Sequence, residues 1–251
     1  MALCEIHMEN FSVFSDGKIS LSPNINVFIG ANGTGKTQLL KAVYGCCELT
    51  ADHRENFQAC FQLNAKTKSL ARNKKQNVCH FSLASTDQEA KIMTHHLLES
   101  DDAGVQTVSY EHCLFKKNQC RFELEAEGFK KIGILWQLLM NETIMENTIL
   151  LWDEPEANLN PEFLPVIADC LLALSRQHVQ ILISTHSYIL AKYIEIRAKD
   201  TDKVLFHSLY KKDDGLVYDE QQKKFSALQN NTIVTAFEAL MDEIYMGKVG
   251  E

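Results

Sequence analysis

No stretch of the 251-residue sequence approaches the roughly 20 consecutive apolar residues that cross a bilayer. The longest apolar runs, 132–140 and 163–174, are interrupted and too short. The opening Met-Ala-Leu-Cys-Glu-Ile-His-Met has no basic flank followed by an apolar run, so no signal peptide is expected. Together these absences give the expectation of a soluble, cytoplasmic protein with no membrane partner. Metal and disulfide frameworks are missing as well. None of the eight cysteines (4, 46, 47, 60, 79, 113, 120 and 170) forms a C-x-x-C pair, and no Cys/His cluster has zinc-finger spacing. Reduced, structural thiols are expected. The adjacent pair His95-His96 reads as a solvated helix face rather than a metal site. An excess of positive charge is also absent. The net charge is -8 and the pI about 5.6, which argues against broad, non-specific nucleic-acid binding. One basic segment, Lys66, Lys68, Arg72, Lys74 and Lys75, reads either as a solvated loop or as a docking strip for a phosphate backbone. A nucleic-acid partner therefore stays open. Neither an internal repeat nor a low-complexity tract is present.

What is present is an ordinary globular mixture, 45% hydrophobic and 23% charged, with room for one large domain or two small ones. Leu3, Ile6 and Met8 lead into Phe11 and Phe14. Ser15-Asp16-Gly17-Lys18 then offers turn chemistry before Ile19 and Leu21, which suggests two N-terminal strands. The apolar run Ile25-Asn26-Val27-Phe28-Ile29 reads as a buried strand ending at Gly30. From Lys36 onward, Leu39, Leu40, Val43 and Tyr44 have helical spacing. A helix is expected over 88–98 from Ile92, Met93, His96 and Leu97. Strands follow over 105–115 and 120–124, joined by a turn at 116–119. The pattern then alternates: a helix from Phe129 to Met140, a strand from Thr148 to Trp152, and a helix from Asn160-Pro161-Glu162 through Leu174. A strand from Val179 to Ser184 and a helix to Ala198 complete it. This alternation predicts an α/β fold with a mainly parallel sheet. A strand at Val204-Leu205-Phe206, a turn at Lys211–Gly215 and a strand at Leu216-Val217-Tyr218 close the pattern. The final helix, 232–246, places Ile233, Phe237, Leu240, Met241 and Ile244 on one face. That face either packs on the sheet, the default expectation, or docks a partner.

Three motifs carry chemistry. Gly30-Ala31-Asn32-Gly33-Thr34-Gly35-Lys36-Thr37 matches the P-loop pattern G-x-x-x-x-G-K-[ST] and lies between a strand and a helix, as that loop requires. Its glycines let backbone N–H groups of Asn32, Gly33, Thr34 and Gly35 converge on phosphate, helped by the positive end of the following helix. Lys36 is expected to reach the β- and γ-phosphates of ATP, and Thr37 to ligate Mg²⁺. Asp153 and Glu154 end a Leu-rich strand. Asp153 is expected beside the Mg²⁺ shell, and Glu154 where it can polarise an attacking water. His186, two residues past an apolar strand, is expected near the γ-phosphate.

These residues resemble the ABC-type ATPase heads of the SMC, RecF and OLD kinds. The stretch from Asn24 to Thr37 and the N-terminal pattern Ile6-His-Met-Glu-Asn-Phe-Ser-Val-Phe carry the likeness. So do Trp152-Asp-Glu-Pro-Glu-Ala-Asn-Leu-Asn-Pro, similar to a Walker B motif running into a D-loop, and Ile183-Ser-Thr-His-Ser, similar to a histidine switch. Ala126-Glu-Gly-Phe-Lys-Lys sits where the signature motif belongs. The combination is most similar to the stand-alone AAA family ATPases of bacterial anti-phage loci, akin to the Septu and retron-associated subunits.

The resemblance implies a P-loop NTPase fold: one ABC-type head over 1–251, with an N-terminal antiparallel β subdomain. A lobe at about 50–125 would separate P-loop and signature, and a strand hairpin and helix would occupy about 200–251. It implies a homodimer closed around ATP, in which Gly128 and its neighbours meet the γ-phosphate bound by the partner's P-loop. It further implies a separately encoded effector such as a nuclease or toxin. Ala126 stands where the family has a signature serine, a loss that Lys130 could offset by charge. About ninety residues separate Lys36 from the signature, too few for an SMC-type coiled-coil arm. Too few also follow His186 for a Toprim-type nuclease. The Q-loop glutamine is either Gln58 or Gln62. The rival expectations are a DNA-repair head acting on DNA and a scaffold in which ATP locks assembly without hydrolysis.

Overall fold

A computed structural model describes residues 2–50, 79–85, 93–97 and 127–247. The elements are β1 (Leu3–Phe11), β2 (Phe14–Ser20), β3 (Ile25–Gly30), α1 (Lys36–Thr50), β4 (Cys79–Ser85), β5 (Met93–Leu97) and α2 (Glu127–Met140). They continue as β6 (Ile149–Asp153), α3 (Leu164–Arg176), β7 (Gln180–Ser184), α4 (Tyr188–Arg197), β8 (Val204–Lys211), β9 (Val217–Gln222) and α5 (Thr232–Tyr245). The described strands form two sheets, a four-stranded one in the order β2-β1-β4-β5 and a five-stranded one in the order β6-β7-β3-β8-β9. The first is antiparallel throughout. In the second only β9 runs antiparallel to its neighbour. The expected α/β class, with a mainly parallel sheet and an N-terminal antiparallel unit, is the observed architecture.

β3 is central, and all six of its residues are buried, as expected for a parallel strand covered on both faces. Its side chains alternate between two cores. Phe28 joins β1, β2 and α1 through Ile6, Met8, Phe14 and Leu39. Ile25, Val27 and Ile29 join α3 and α4 through Ile167, Leu171, Leu190 and Ile194. Each such side chain contributes about 1.5–3 kcal/mol by leaving water, so the strand that launches the P-loop is firmly held. α3 begins after a short 3₁₀ turn over Pro161–Phe163, whose N-cap Asn160 accepts from Glu162 N. This fits the sequence signal of Asn followed by Pro.

Three expectations are corrected. The first turn lies at Ser12-Val13 rather than Ser15–Lys18, because Phe11 pairs with Phe14 across the strands. Both rings are buried, and Ser12 adopts the left-handed φ of 51° that so tight a turn needs. Gly17, in the expected turn, sits within β2 opposite Met8. The helix expected over 88–98 is replaced, at 93–97, by β5 paired antiparallel with β4 from Cys79↔Leu97 to Leu83↔Met93. The spacing of Met93, His96 and Leu97 suits a helix equally well, and the open edge of β4 decides it. His95-His96 therefore belongs to a strand, not a helix. Finally, α5 buries none of its residues. Ile233 and Val234 touch the core and Phe237 stacks on Tyr188 at 4.1 Å, but Leu240 and Ile244 are half exposed.

The strands expected at 105–115 and 120–124, the basic segment 66–75, Gln58, Gln62 and Ala126 lie outside the described residues. Cys4, Cys46, Cys47 and Cys170 are not in disulfides. Burial pushes Cys46 up to about 12, so it is held as a neutral, apolar side chain. No described helix is long and apolar enough to cross a membrane.

Candidate nucleotide site

The parallel register brings four segments to one edge of the sheet. β3 ends at Gly30, beside Leu209 of β8. On the other side β7 ends at Ser184, which pairs with Asp153 at the end of β6. The carboxyl edge of an open α/β sheet is where ligands bind in such folds. Between β3 and α1 the loop 30–35 turns tightly. Gly30 has φ 148°, and a Cβ there would collide with the carbonyl oxygen of Leu209. At Gly35, φ 95°, a Cβ would lie 2.5 Å from Val13 and 2.8 Å from Phe14. Only glycine fits either position, so the loop is clamped between β8 and the β1–β2 turn. Thr34 is buried and donates to Ala31 O at 2.9 Å. Asn32 and Gly33 face solvent, leaving their backbone open to a ligand.

Lys36 is 6% exposed. Its ammonium donates to Gly30 O at 2.8 Å and Ala31 O at 3.1 Å, curled across the loop it serves. Burial pushes its pKa below the ordinary lysine value, while Glu154, Asp153 and Glu156 pull it back up. Thr37 Oγ1 donates to Asp153 Oδ2 at 2.8 Å, and Ser184 Oγ donates to Asp153 Oδ1. Thr37 and Asp153 thus meet across 116 residues, as expected for two groups on one hydration shell. Asp153, Glu154 and Glu156 all act on Lys36, and the oxygen-rich donor set suits a hard cation. Among the described residues no cluster of three or more His, Cys, Asp or Glu could hold a metal by itself. Mg²⁺ fits on these terms, because it is held by one or two protein oxygens with phosphate oxygens and waters completing the shell.

Beyond Asp153 the backbone turns sharply. Glu154 has φ 48°, uncommon for a non-glycine residue and typical of functional turns. Its N–H donates to Ser184 O at 3.0 Å, and its carboxylate lies 3.5 Å from His186 Nε2. The two expected catalytic side chains are therefore neighbours. Gly128 and Lys130 occupy the first turn of α2, and the Lys130 side chain lies outside what the structure describes.

Several residues near the site escaped the sequence. Lys131 Nζ donates to Glu154 O at 2.8 Å. A Cβ on Gly33 would be 3.8 Å from Lys211 Nζ. Ser184 donates to Asp153, and Glu156 accepts from His186 N. Sheet order alone, not spacing, brings Ser184 and Lys211 here. A separate cleft of about 490 Å³ opens at the amino end of the sheet, lined by Asn24, Asn147, Arg176, His178, Asp202 and Lys203. It is remote from the P-loop.

The family described as AAA ATPase domain matches residues 1–132, more than half of the sequence. The chain belongs to the AAA ATPase domain family. A second AAA domain family, described with the AbiEii toxin and type IV toxin–antitoxin systems, matches residues 81–191. The AAA domain is similar to the DNA replication and repair protein RecF of Lactobacillus johnsonii, at 43% identity over 56 residues, 22% of this chain and 15% of that one. RecF of Lactococcus lactis subsp. cremoris is 41% identical over 54 residues, again 22% and 15%. The matched stretch thus spans about 15% of the length of these relatives. The fold is that of an SMC head. A solved SMC head bound to the C-winged helix domain of ScpA overlays with a TM-score of 0.57 at 12% identity, covering 90% of this chain and 99% of that one. The SMC head of Thermotoga maritima gives 0.53 at 13% identity, covering 88% and 99%. The ATPase family expected from the motifs is shown as the AAA ATPase domain family, and the expected head fold is that of the SMC heads.

Proposed function

We propose that this AAA domain hydrolyses ATP with Mg²⁺ and works as an ATP-dependent homodimeric switch for a separately encoded effector. The observation that carries hydrolysis is the convergence of Lys36, Thr37, Asp153, Glu154 and His186 at one sheet edge, from segments up to 150 residues apart. Bound ATP and Mg²⁺ would supply the phosphoryl group and the Lewis acid. Asn32, Gly33, Thr34 and Gly35 would surround the phosphates with N–H groups, and Lys36 would swing from Gly30 O toward the β- and γ-oxygens. Thr37 and Asp153 would hold the ion's shell. Glu154 would take a proton from the attacking water while His186, 3.5 Å away, orients the water and γ-phosphate.

Dimerisation is supported by α2, which presents Ile134, Trp136, Leu139 and Met140 to solvent. Such a patch is the usual mark of an association surface. In the closed dimer Gly128 and Lys130 would face the partner's phosphates. The solved relative that binds ScpA supports a partner protein, and the toxin–antitoxin description of the match at 81–191 supports an effector of the anti-phage kind. A DNA-repair role rests on RecF matches over 22% of the chain and sits poorly with a net charge of -8. The test is the solution mass of Glu154→Gln with and without ATP and Mg²⁺. A nucleotide-dependent step from monomer to dimer is expected. A monomer in both conditions would remove the homodimer from the proposal.

A further inference from the structure

Three residues past Asp153, Glu156 reaches across to the loop that carries His186. One carboxylate oxygen, Oε1, accepts from Thr185 Oγ1 at 2.7 Å and from His186 N at 2.8 Å. The same Thr185 hydroxyl accepts from Ser187 N at 2.9 Å. Ser187 is the N-cap of α4, its Oγ accepting from Leu190 N at 3.1 Å. An unbroken line of hydrogen bonds thus runs from Glu156 to the start of α4, with His186 held between. On the other side Glu156 belongs to the same turn as Glu154, closed by Ala157 N to Glu154 O at 3.1 Å and Leu159 N to Glu156 O at 3.1 Å. The other oxygen, Oε2, is buried with no hydrogen-bond partner among the described residues. Only one half of the carboxylate is used, and both of its bonds go to the histidine loop.

We propose that Glu156 is a positioning residue that fixes the His186 backbone relative to Glu154, so that the imidazole meets the γ-phosphate end of the nucleotide. His186 is exposed, and its ring contacts Glu154 at 3.5 Å, too long for a strong tether. A freely swinging loop would misplace the ring, and a misplacement of about 1 Å costs on the order of 100-fold in rate. The two bonds to Oε1 remove that freedom by holding an amide and a hydroxyl from consecutive residues. What the clamp needs is an acceptor oxygen at this reach, not a negative charge. Glutamine supplies that oxygen, and its amide nitrogen would replace an oxygen that accepts nothing. Alanine supplies neither, and aspartate is one methylene too short to reach both donors.

The proposal rests on the ATP-hydrolysing reading, and two readouts separate them. In the full-length protein, Glu156→Ala and Glu156→Asp are expected to lower kcat about 10- to 100-fold, with KM for ATP changed by less than about 3-fold. Glu156→Gln should recover most of that loss. In the nucleotide-free protein, the His186 amide should exchange with solvent at least about 10-fold faster in Glu156→Ala and be protected again in Glu156→Gln. Wild-type kcat in Glu156→Ala, or unaltered His186 protection, would overturn the proposal. So would a Gln variant as impaired as Ala, because charge rather than acceptance would then be the working property. If the wild-type protein releases no phosphate, the hydrolytic reading falls, while amide exchange still decides whether the clamp exists.

Discussion

At the amino ends of β3 and β7, buried amide side chains bond to backbone groups of neighbouring segments; at the carboxyl ends of the same strands, acids gather around a lysine. Gln180 accepts from Leu3 N at 2.7 Å and donates to Leu3 O at 2.7 Å and Ser22 O at 2.8 Å. Asn26 accepts from Ser22 N at 2.7 Å and donates to Ser22 O at 2.8 Å. Nearby, Arg176 grips both oxygens of Asp202 at 3.0 and 2.6 Å. Gln180 and Asn26 tie β1 and the loop after β2 to the parallel sheet, and Arg176 ties α3 to the loop before β8. The other edge gathers three acids around a buried lysine, leaves Glu156 Oε2 without a partner and holds Glu154 at a positive φ. The edge where three acids act on one lysine beside the glycine loop is the one suited to a charged ligand. The comparison therefore assigns stability to one end and chemistry to the other.

Substitutions at the two ends should fail in different ways. The largest effect is expected from Lys36→Ala, which should weaken ATP binding about 100-fold or more, seen by calorimetric titration. Its thermal midpoint should not fall, because burial penalises the charged lysine. A Lys36→Ala protein that melts early yet binds ATP normally would invert the comparison. Next, Gln180→Ala should lower unfolding free energy by about 2–4 kcal/mol, since it takes the side-chain partner from Leu3 N and Leu3 O and leaves Ser22 O with Asn26 alone. Denaturant titration measures this, and nucleotide affinity below the transition should be unaffected.

The smallest effect concerns pH. The Arg176 guanidinium holds Asp202 below the usual carboxylate range, against the opposing pull of burial. Its folded pKa lies below the unfolded value, so its stabilisation is full above about pH 4 and is lost as pH falls through the folded value. Asp202→Asn should therefore be less stable at neutral pH and show a flatter loss of stability on acidification. A wild-type slope in the variant would remove Asp202 from the acid-sensitive groups.

What the sequence disclosed was local. β3, its glycine exit and the helix after it are contiguous, and an apolar run meeting glycines is hard to misread. Asp153 and Glu154 were legible for the same reason, at the end of an uninterrupted apolar strand. The Ser12-Val13 turn was hidden because Ser15–Lys18 carries richer turn chemistry, and only the burial of Phe11 against Phe14 overrides it. β5 was hidden because Met93-Thr-His-His-Leu satisfies two periodicities, and strand pairing decides between them. α5 has a clear apolar face, but a sequence does not say whether a partner surface is present to cover it. Ser184 and Lys211 reach the site through strand pairing, and Lys131 and Glu156 through contacts between segments far apart in the chain, none of which a spacing rule encodes. Their roles become visible only when β6, β7, β3 and β8 are set side by side.

The most direct test of the central claim is phosphate release from ATP and Mg²⁺ by the wild-type protein and by Glu154→Gln, at equal nucleotide occupancy. Turnover by the wild type and a loss of about 100-fold or more in the variant, with binding retained, is the predicted result. Equal turnover in the two proteins, or none in the wild type, would contradict the assignment of this edge as a hydrolytic site.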